Sequence, residues 1–116
     1  MQNDKTFRLE RGGIAIEVIE YGARLSRCFV PDAAGTLADI VPGFASGADY
    51  AQRGGTMGAV LGRYGNRIGY GRVKIRGIEY ALSRNDGLHT MHGGAGHFCM
   101  GLGQGPLKGQ QLSLIK

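Results

Sequence analysis

Glycine is the residue type that most constrains how this chain can fold, since it accounts for 22 of the 116 residues. A glycine inside a helix costs about 1 kcal/mol relative to alanine, so this abundance argues against long helices. It favours short strands joined by tight turns, where glycine supplies backbone conformations that other residues adopt with difficulty. A chain of this length forms at most one domain.

The apolar pattern agrees with a β fold. Two strand-like segments, 6–9 and 14–19, flank Arg11-Gly12-Gly13, which predicts a hairpin. Isoleucine and valine occupy positions 14, 16 and 18, as expected of a half-buried strand. Further strands are predicted at 25–30 and 39–41, and a second hairpin at 72–75 and 78–82, while 45–52 fits either one helical turn or a loop. Turn signals recur at intervals of about 8 to 12 residues, so the predicted class is all-β.

Charge and cysteine content narrow the classes of function. The net charge is +5, and five cations lie between Arg63 and Arg76 with no acid among them, which leaves a basic nucleic-acid-binding domain as an alternative. No recognised nucleic-acid-binding module accompanies the charge, so our prediction is that there is no nucleic-acid partner. Cys28 and Cys99 are too few and too far apart for a disulfide framework. No stretch approaches the roughly 18 apolar residues of a membrane span, and the N-terminus has no signal-peptide core, so we expect a cytoplasmic protein without a membrane partner.

Three histidines and a cysteine lie close enough together in the sequence to raise the question of a metal site, at His89, His92, His97 and Cys99. Zinc uses such ligands, but this spacing fits no closed structural zinc site, and the glycine-rich surroundings offer no supporting hydrogen-bond partners. The prediction is therefore that the chain binds no metal.

Two short motifs carry the strongest functional signal. They are Gly62-Arg63-Tyr64-Gly65-Asn66-Arg67-Ile68 and Thr90-Met91-His92-Gly93-Gly94, and His92 lies 25 positions after Arg67. An arginine can donate two hydrogen bonds to adjacent oxygens, and a histidine can donate to or accept from a hydroxyl. Sugar hydroxyls are both donors and acceptors, so Asn66, Arg67 and His92 are the candidate sugar-binding residues.

These motifs resemble the aldose 1-epimerase (galactose mutarotase) family. The resemblance runs through residues 58–68, Gly71-Arg72-Val73 and Met91-His92-Gly93-Gly94, with upstream agreement at Tyr21-Gly22-Ala23, 30–32 and 39–41. It implies a large antiparallel β-sandwich that interconverts the α and β anomers of aldohexoses such as glucose and galactose, by acid–base ring opening without a cofactor. By the same resemblance, Asn66 and Arg67 match a sugar-binding pair and His92 matches the first active-site histidine.

The resemblance covers about residues 6–96, and the pattern changes after Gly96. We therefore expect residues 6–96 to form part of a truncated galactose mutarotase-like β-sandwich, and 97–116 to be an irregular, non-family tail produced by truncation or a frameshift. No residue of this chain matches the family's second histidine, which is the general acid, or its glutamate base. The resulting hypothesis is an isomerase by family whose present chain is inactive, and the alternative is a non-catalytic carbohydrate-binding fragment.

Overall fold

The computed structural model describes residues 4–53, 55–101, 107–108 and 111–112. The chain divides into two compact units, one comprising Met1–Val60 and Cys99–Lys116 and the other Leu61–Phe98. The described residues form ten strands, one α-helix and two short 3-10 helices, and every strand pairing among them is antiparallel. The predicted all-β class is confirmed.

The elements follow one another along the chain as β1 (Thr6–Arg11), β2 (Ile14–Ile19), β3 (Arg24–Pro31), β4 (Leu37–Asp39), α1 (Gly47–Arg53), β5 (Arg67–Ile68), β6 (Arg72–Ile75), β7 (Ile78–Ala81), β8 (Thr90–Met91), β9 (Leu107–Lys108) and β10 (Gln111–Leu112). The 3-10 helices are Gly69–Gly71 and Phe98–Met100. None of the helices in the described part of the chain is long and apolar enough to span a membrane.

The first unit contains a four-stranded sheet with the order β1-β2-β3-β4. Arg11 pairs with Ile14 across the turn, and Gly12 and Gly13 have φ values of +58° and +79°. Such left-handed conformations are those of the tight hairpin turns that match the twist of the strands. The hairpin predicted at this position is confirmed.

The buried residues of β2 are not those that the alternation of apolar residues in the sequence predicts. Ala15 and Ile19 are buried, whereas Ile14 is 47% exposed. Ile19 pairs with Arg24 of β3, and the Arg24 guanidinium lies over the Tyr50 ring of α1. The register of β2 and β3 also shifts by one residue, which leaves Ser26 unpaired and donating its hydroxyl to the Glu17 carbonyl. The strand prediction is confirmed, but the alternation of apolar residues does not identify the buried side.

The fourth strand lies two residues earlier than predicted, at Leu37–Asp39 and not at 39–41. The reason is Asp39, whose Oδ1 accepts hydrogen bonds from the Cys28 and Val41 backbone N–H groups at 3.0 and 3.1 Å. The carboxylate thus takes the place of a main-chain carbonyl and ends the ladder. These backbone hydrogen bonds, from Cys28 first and Val41 second, lower the pKa of Asp39.

The segment 45–52, for which helix and loop were both open, overlaps helix α1, which runs from Gly47 to Arg53. Ser46 precedes the helix, and its Oγ accepts a hydrogen bond from the Asp49 backbone N–H at 3.2 Å, an N-terminal cap. The helix buries Tyr50, which is 1% exposed and whose hydroxyl accepts a hydrogen bond from the Phe44 backbone N–H.

A buried arginine organises the first unit. Arg24 is 1% exposed, and its guanidinium donates to the carbonyl oxygens of Met57, Gly55 and Cys99 at 2.9, 3.2 and 2.9 Å. It also lies over the Tyr50 ring at 4.7 Å. A buried charge is tolerated only where several acceptors replace water, and three carbonyls and an aromatic face do so here.

The second unit contains two strand pairs, β5 with β8 and β6 with β7. The predicted hairpin at 72–82 is confirmed, with Arg76 and Gly77 at φ +50° and +83° in its two-residue turn. Thr90 of β8 is 1% exposed and donates its hydroxyl to the Ser83 carbonyl at 2.6 Å.

The prediction of an irregular tail over 97–116 falls largely outside the described residues, which beyond Gly101 are 107–108 and 111–112. Those two pairs of residues form the β9–β10 ladder.

Candidate functional site

All three predicted sugar-binding residues lie in the second unit, within the β5–β8 ladder or directly next to it. Arg67 of β5 pairs with Met91 of β8, so Asn66 and His92 extend the two strands at the same end. The His92 backbone N–H donates to the Asn66 carbonyl at 2.9 Å, and the Asn66 N–H donates to His92 Nδ1 at 3.0 Å. The structure therefore brings Asn66 and His92 into direct reciprocal contact.

The backbone at this end of the ladder has an unusual conformation that explains the motif residues. Asn66 and His92 have φ values of +63° and +53°. Asparagine and histidine occur in this left-handed region several times more often than other non-glycine residues. Gly93 follows at φ +99°, and a Cβ there would lie 2.5 Å from the Gly62 carbonyl oxygen. Gly93 thus allows its main chain to pack directly on the main chain of Gly62 and Arg63.

The hydrogen bond to His92 fixes the proton position of its ring. A neutral imidazole has one N–H donor and one acceptor nitrogen. Because Nδ1 accepts from the Asn66 N–H, the proton of the neutral ring is on Nε2. His92 is half-buried, and no described residue accepts a hydrogen bond from Nε2. This nitrogen is therefore a donor that remains available to a ligand oxygen.

Arg67 is held by a carboxylate that the sequence motifs do not indicate. Its Nε donates to Oδ2 of Asp86 at 2.6 Å, and the two side chains are 55% and 39% exposed. Among the described residues, none accepts a hydrogen bond from the two terminal nitrogens of Arg67. Those nitrogens can donate to two neighbouring oxygens of a ligand, the geometry in which arginine is most selective.

Asp86 belongs to a tight turn in the segment between β7 and β8. Asp86 and His89 form an antiparallel bridge, with the His89 N–H donating to the Asp86 carbonyl at 2.9 Å. Gly87 lies between them at φ +58°. The Asp-Gly dipeptide indicates a turn here, but it predicts Asp86 and Gly87 as the two central residues, whereas the structure places Gly87 and Leu88 there.

Asn85 fastens this turn to strand β8. Its side-chain amide donates to the Met91 carbonyl at 2.9 Å, and its Oδ1 accepts from the Met91 N–H at 2.7 Å. The Asn85 side chain thus makes the two hydrogen bonds to the Met91 backbone that a neighbouring strand would otherwise make. Asn85, like Asp86, is absent from the residues predicted from the sequence.

His89 has a role in the loop that follows β5. Its Nδ1 accepts a hydrogen bond from the Tyr70 backbone N–H at 3.0 Å, and the two rings are tilted with centroids 5.2 Å apart. Tyr70 has φ +53°, and its carbonyl accepts from Arg84 Nε. The described part of the chain contains no group of three or more histidine, cysteine or acidic residues able to hold a metal ion.

The run of cations between Arg63 and Arg76 is partly neutralised in the structure. Arg67 pairs with Asp86, and Arg72 donates to Glu79 Oε1 at 3.0 Å. Arg63 lies over the Phe98 ring at 5.6 Å. Ion pairing and ring stacking thus engage three of the cations that motivated the nucleic-acid alternative.

Comparison with known proteins gives a consistent result. A family model described as aldose 1-epimerase matches residues 5–99. The galactose mutarotase of Sus scrofa is 36% identical over 92 residues, which cover 79% of this chain and 27% of that protein. The aldose 1-epimerase of Escherichia coli (strain K12) is 32% identical over 82 residues, covering 71% of this chain and 24% of that protein. The chain thus spans about a quarter of the length of these relatives.

Two solved structures share the fold. A GalM/aldose epimerase homologue from C. elegans has a TM-score of 0.85 at 23% identity, and the match covers 96% of this chain and 35% of the C. elegans chain. A galactose 1-epimerase from Lactobacillus acidophilus NCFM has a TM-score of 0.67 at 22% identity, covering 90% and 35%. At these identities, the likeness establishes the fold alone.

Proposed function

This chain belongs to the aldose 1-epimerase family, and we propose that residues 61–98 form the sugar-gripping part of a mutarotase site, with Asn66, Arg67 and His92 binding an aldohexose. The observation that carries this proposal is the reciprocal bonding of Asn66 and His92, which leaves His92 Nε2–H as a fixed donor. Arg67, the residue next to Asn66, adds the two terminal nitrogens of its guanidinium as further donors. A rigid set of donors of this kind suits the hydroxyl and ring oxygens of a hexose.

The reaction proposed for the family domain interconverts the α and β anomers. A base removes the anomeric hydroxyl proton while an acid protonates the ring oxygen, and the ring opens to the aldehyde. The aldehyde group then rotates about the C1–C2 bond, and the ring closes on the other face of the aldehyde. Arg67 and His92 would hold the oxygens on which charge develops and stabilise that charge through hydrogen bonds.

We do not assign the general acid or the general base of this reaction to any described residue of 61–98. The carboxylates there, Glu79 and Asp86, each accept a hydrogen bond from an arginine. We therefore propose that the residues of the family match, 5–99, contribute substrate binding to a mutarotase domain, that the tail beyond this match lies outside the family pattern, and that this chain alone does not accelerate mutarotation. A polarimeter trace of α-glucose that relaxes faster with the purified 116-residue chain than with buffer would overturn the last statement.

The binding proposal is tested by titrating galactose into 15N-labelled protein and following backbone amide shifts. We expect binding in the millimolar range, with the largest shifts at Asn66, Arg67 and His92. The informative variant is His92→Asn, because asparagine tolerates the φ of +53° and its Oδ1 can replace Nδ1 as acceptor for the Asn66 N–H. It removes only the Nε2–H donor, so we expect binding to weaken by about 10-fold, the loss of one hydrogen bond to an otherwise unpaired oxygen.

Matched arginine variants complete the test. Arg67→Ala should weaken galactose binding, whereas Arg76→Ala, at the exposed turn of the β6–β7 hairpin, should leave it unchanged. Equal losses in both variants, or a His92→Asn protein that binds galactose as tightly as the wild type, would contradict the assignment of the site.

A further inference from the structure

The contact between Arg67 and Asp86 links the proposed sugar site to the turn that precedes β8. Arg67 Nε donates to Asp86 Oδ2 at 2.6 Å, a short, charge-assisted hydrogen bond. The Arg67 side chain is 55% exposed, and no other described residue accepts a hydrogen bond from it. The carboxylate is therefore the group that restricts the orientation of the guanidinium.

The carboxylate is itself held by a rigid turn. The Asp86 N–H donates to the His89 carbonyl at 3.1 Å and the His89 N–H donates back to the Asp86 carbonyl at 2.9 Å. The adjacent Asn85 is bonded to Met91 through both atoms of its amide. Because Met91 pairs with Arg67 and precedes His92, the position of Asp86 is set relative to the same ladder that holds the site.

We propose that Asp86 is a positioning residue for Arg67, which fixes the guanidinium so that its two terminal nitrogens are presented together to one sugar. This inference rests on the proposed sugar-binding function. An unrestrained arginine side chain has many rotamers, and binding must select one of them at a cost in affinity. Asp86 selects the rotamer before the ligand arrives, so its effect appears in binding and not in the stability of the fold.

A second exposed ion pair of the same unit provides a control for that distinction. Arg72 and Glu79 are joined at 3.0 Å on the β6–β7 hairpin, with side-chain exposures of 64% and 59%. Exposed ion pairs contribute little to stability in general. Removing either carboxylate should therefore shift the unfolding temperature by at most about 5 °C, and only Asp86 should influence the sugar site.

The test compares Asp86→Asn and Asp86→Ala with Glu79→Gln in the full 116-residue chain. The measurements are the galactose Kd, the thermal midpoint and the Arg67 Nε–H resonance in 15N spectra. We expect both Asp86 variants to weaken galactose binding by about 3- to 10-fold, corresponding to the ordering of one long side chain. Their Arg67 Nε–H signal should move and exchange faster with water, while Glu79→Gln leaves both readouts unchanged. Asp86→Glu, which restores the charge, should recover part of the affinity.

Salt provides a signature that a merely structural residue would not show. Galactose is uncharged, so its affinity should respond to ionic strength only through protein charges that shape the site. We expect the wild-type Kd to rise in 0.5 M NaCl, where the Debye length is about 4 Å, and the Asp86→Asn Kd to stay constant.

The two proposals fail in different ways. If Asp86→Ala, which has no acceptor at this position, binds galactose like the wild type, or if its Arg67 Nε–H resonance is unmoved, Asp86 does not position the arginine, whatever the state of the sugar site. If the wild-type chain binds no galactose, the proposed function is wrong, and the Arg67 resonance still decides whether Asp86 orients the guanidinium.

Discussion

Replacing Gly93 with alanine should be among the most damaging single-methyl additions to the second unit. Gly93 has φ +99°, and a Cβ at this position would lie 2.5 Å from the Gly62 carbonyl oxygen and 2.8 Å from the Arg63 nitrogen. Both neighbours are backbone atoms, so no side chain can rotate away to relieve the overlap. The strained φ costs about 1–3 kcal/mol, the overlap costs a similar amount, and together we expect a loss of about 4 kcal/mol of unfolding free energy.

Two other glycines of the same unit separate the contributions. Gly87 has φ +58°, and a Cβ at that position would meet no atom within 4 Å, so Gly87→Ala reports the strained backbone alone, with an expected loss of about 1–2 kcal/mol. Gly65 has no positive φ and is also surrounded by open space, so Gly65→Ala should change stability by no more than about 0.5 kcal/mol.

Urea unfolding followed by circular dichroism measures all three variants, with a constant m value as the check on two-state behaviour. The order of stability should be Gly65→Ala, then Gly87→Ala, then Gly93→Ala. The reasoning is refuted if Gly93→Ala is no less stable than Gly87→Ala, because the close approach of Gly93 to Gly62 would then have no energetic consequence. Galactose binding by Gly93→Ala should also be weaker, since the His92 backbone must move with its neighbour.

Two further predictions concern the first unit. Backbone hydrogen bonds from Cys28 and Val41 lower the pKa of Asp39 below its ordinary 3.8, so the unfolded chain binds more protons just below that pH, and the stability contributed by the carboxylate is lost as pH falls through the lowered pKa. The urea midpoints of wild type and Asp39→Asn should therefore differ most at neutral pH and converge below pH 3.8, and a difference that persists at strongly acid pH would contradict this origin. Arg24→Met should lower the unfolding free energy by about 3 kcal/mol, because three carbonyls lose their buried donor. The exposed Arg11→Met should change it by less than about 0.5 kcal/mol, and equal losses would show that the Arg24 contacts are not stabilising.

The parts of the fold that depend on local turn chemistry can be predicted from the sequence. Gly12-Gly13 and Arg76-Gly77 each join two strands in a two-residue turn, and both hairpins form where the turn residues predict them. Predictions fail where a side chain replaces a backbone partner. Asp39 ends β4 through its carboxylate, which a pattern of apolar residues does not reveal. The buried residues of β2 are also not predicted, since Ala15 and Ile19 are buried while Ile14 is exposed, and the register with β3 shifts between Glu17 and Val18.

The sequence motifs name Asn66, Arg67 and His92 as candidate site residues, but they do not predict the contacts that these residues make. Asn66 and His92 are 26 residues apart, and nothing in their spacing indicates that each bonds the backbone of the other. Asp86 is not predicted because its role depends on a turn and a ladder that bring it beside Arg67. Short motifs therefore indicate which residues are candidates to meet a ligand, while the residues that orient them are visible only once non-local pairing is known.

The difference between residues that meet a ligand and residues that orient them follows from which polar atoms of each side chain the protein itself engages. His92 uses Nδ1 to accept from the Asn66 N–H, and Arg67 uses Nε to donate to Asp86, so each side chain commits one nitrogen to the protein. In the part of the chain that the structure describes, His92 Nε2 and the terminal nitrogens of Arg67 have no such partner. An imidazole and a guanidinium held in this way lose little further rotamer freedom on binding, so their hydrogen bonds to a sugar are offset by a smaller entropy cost than those of free side chains. The motif residues thus carry the nitrogen donors of the proposed site, and the contacts with Asn66 and Asp86 restrict the orientation of those donors.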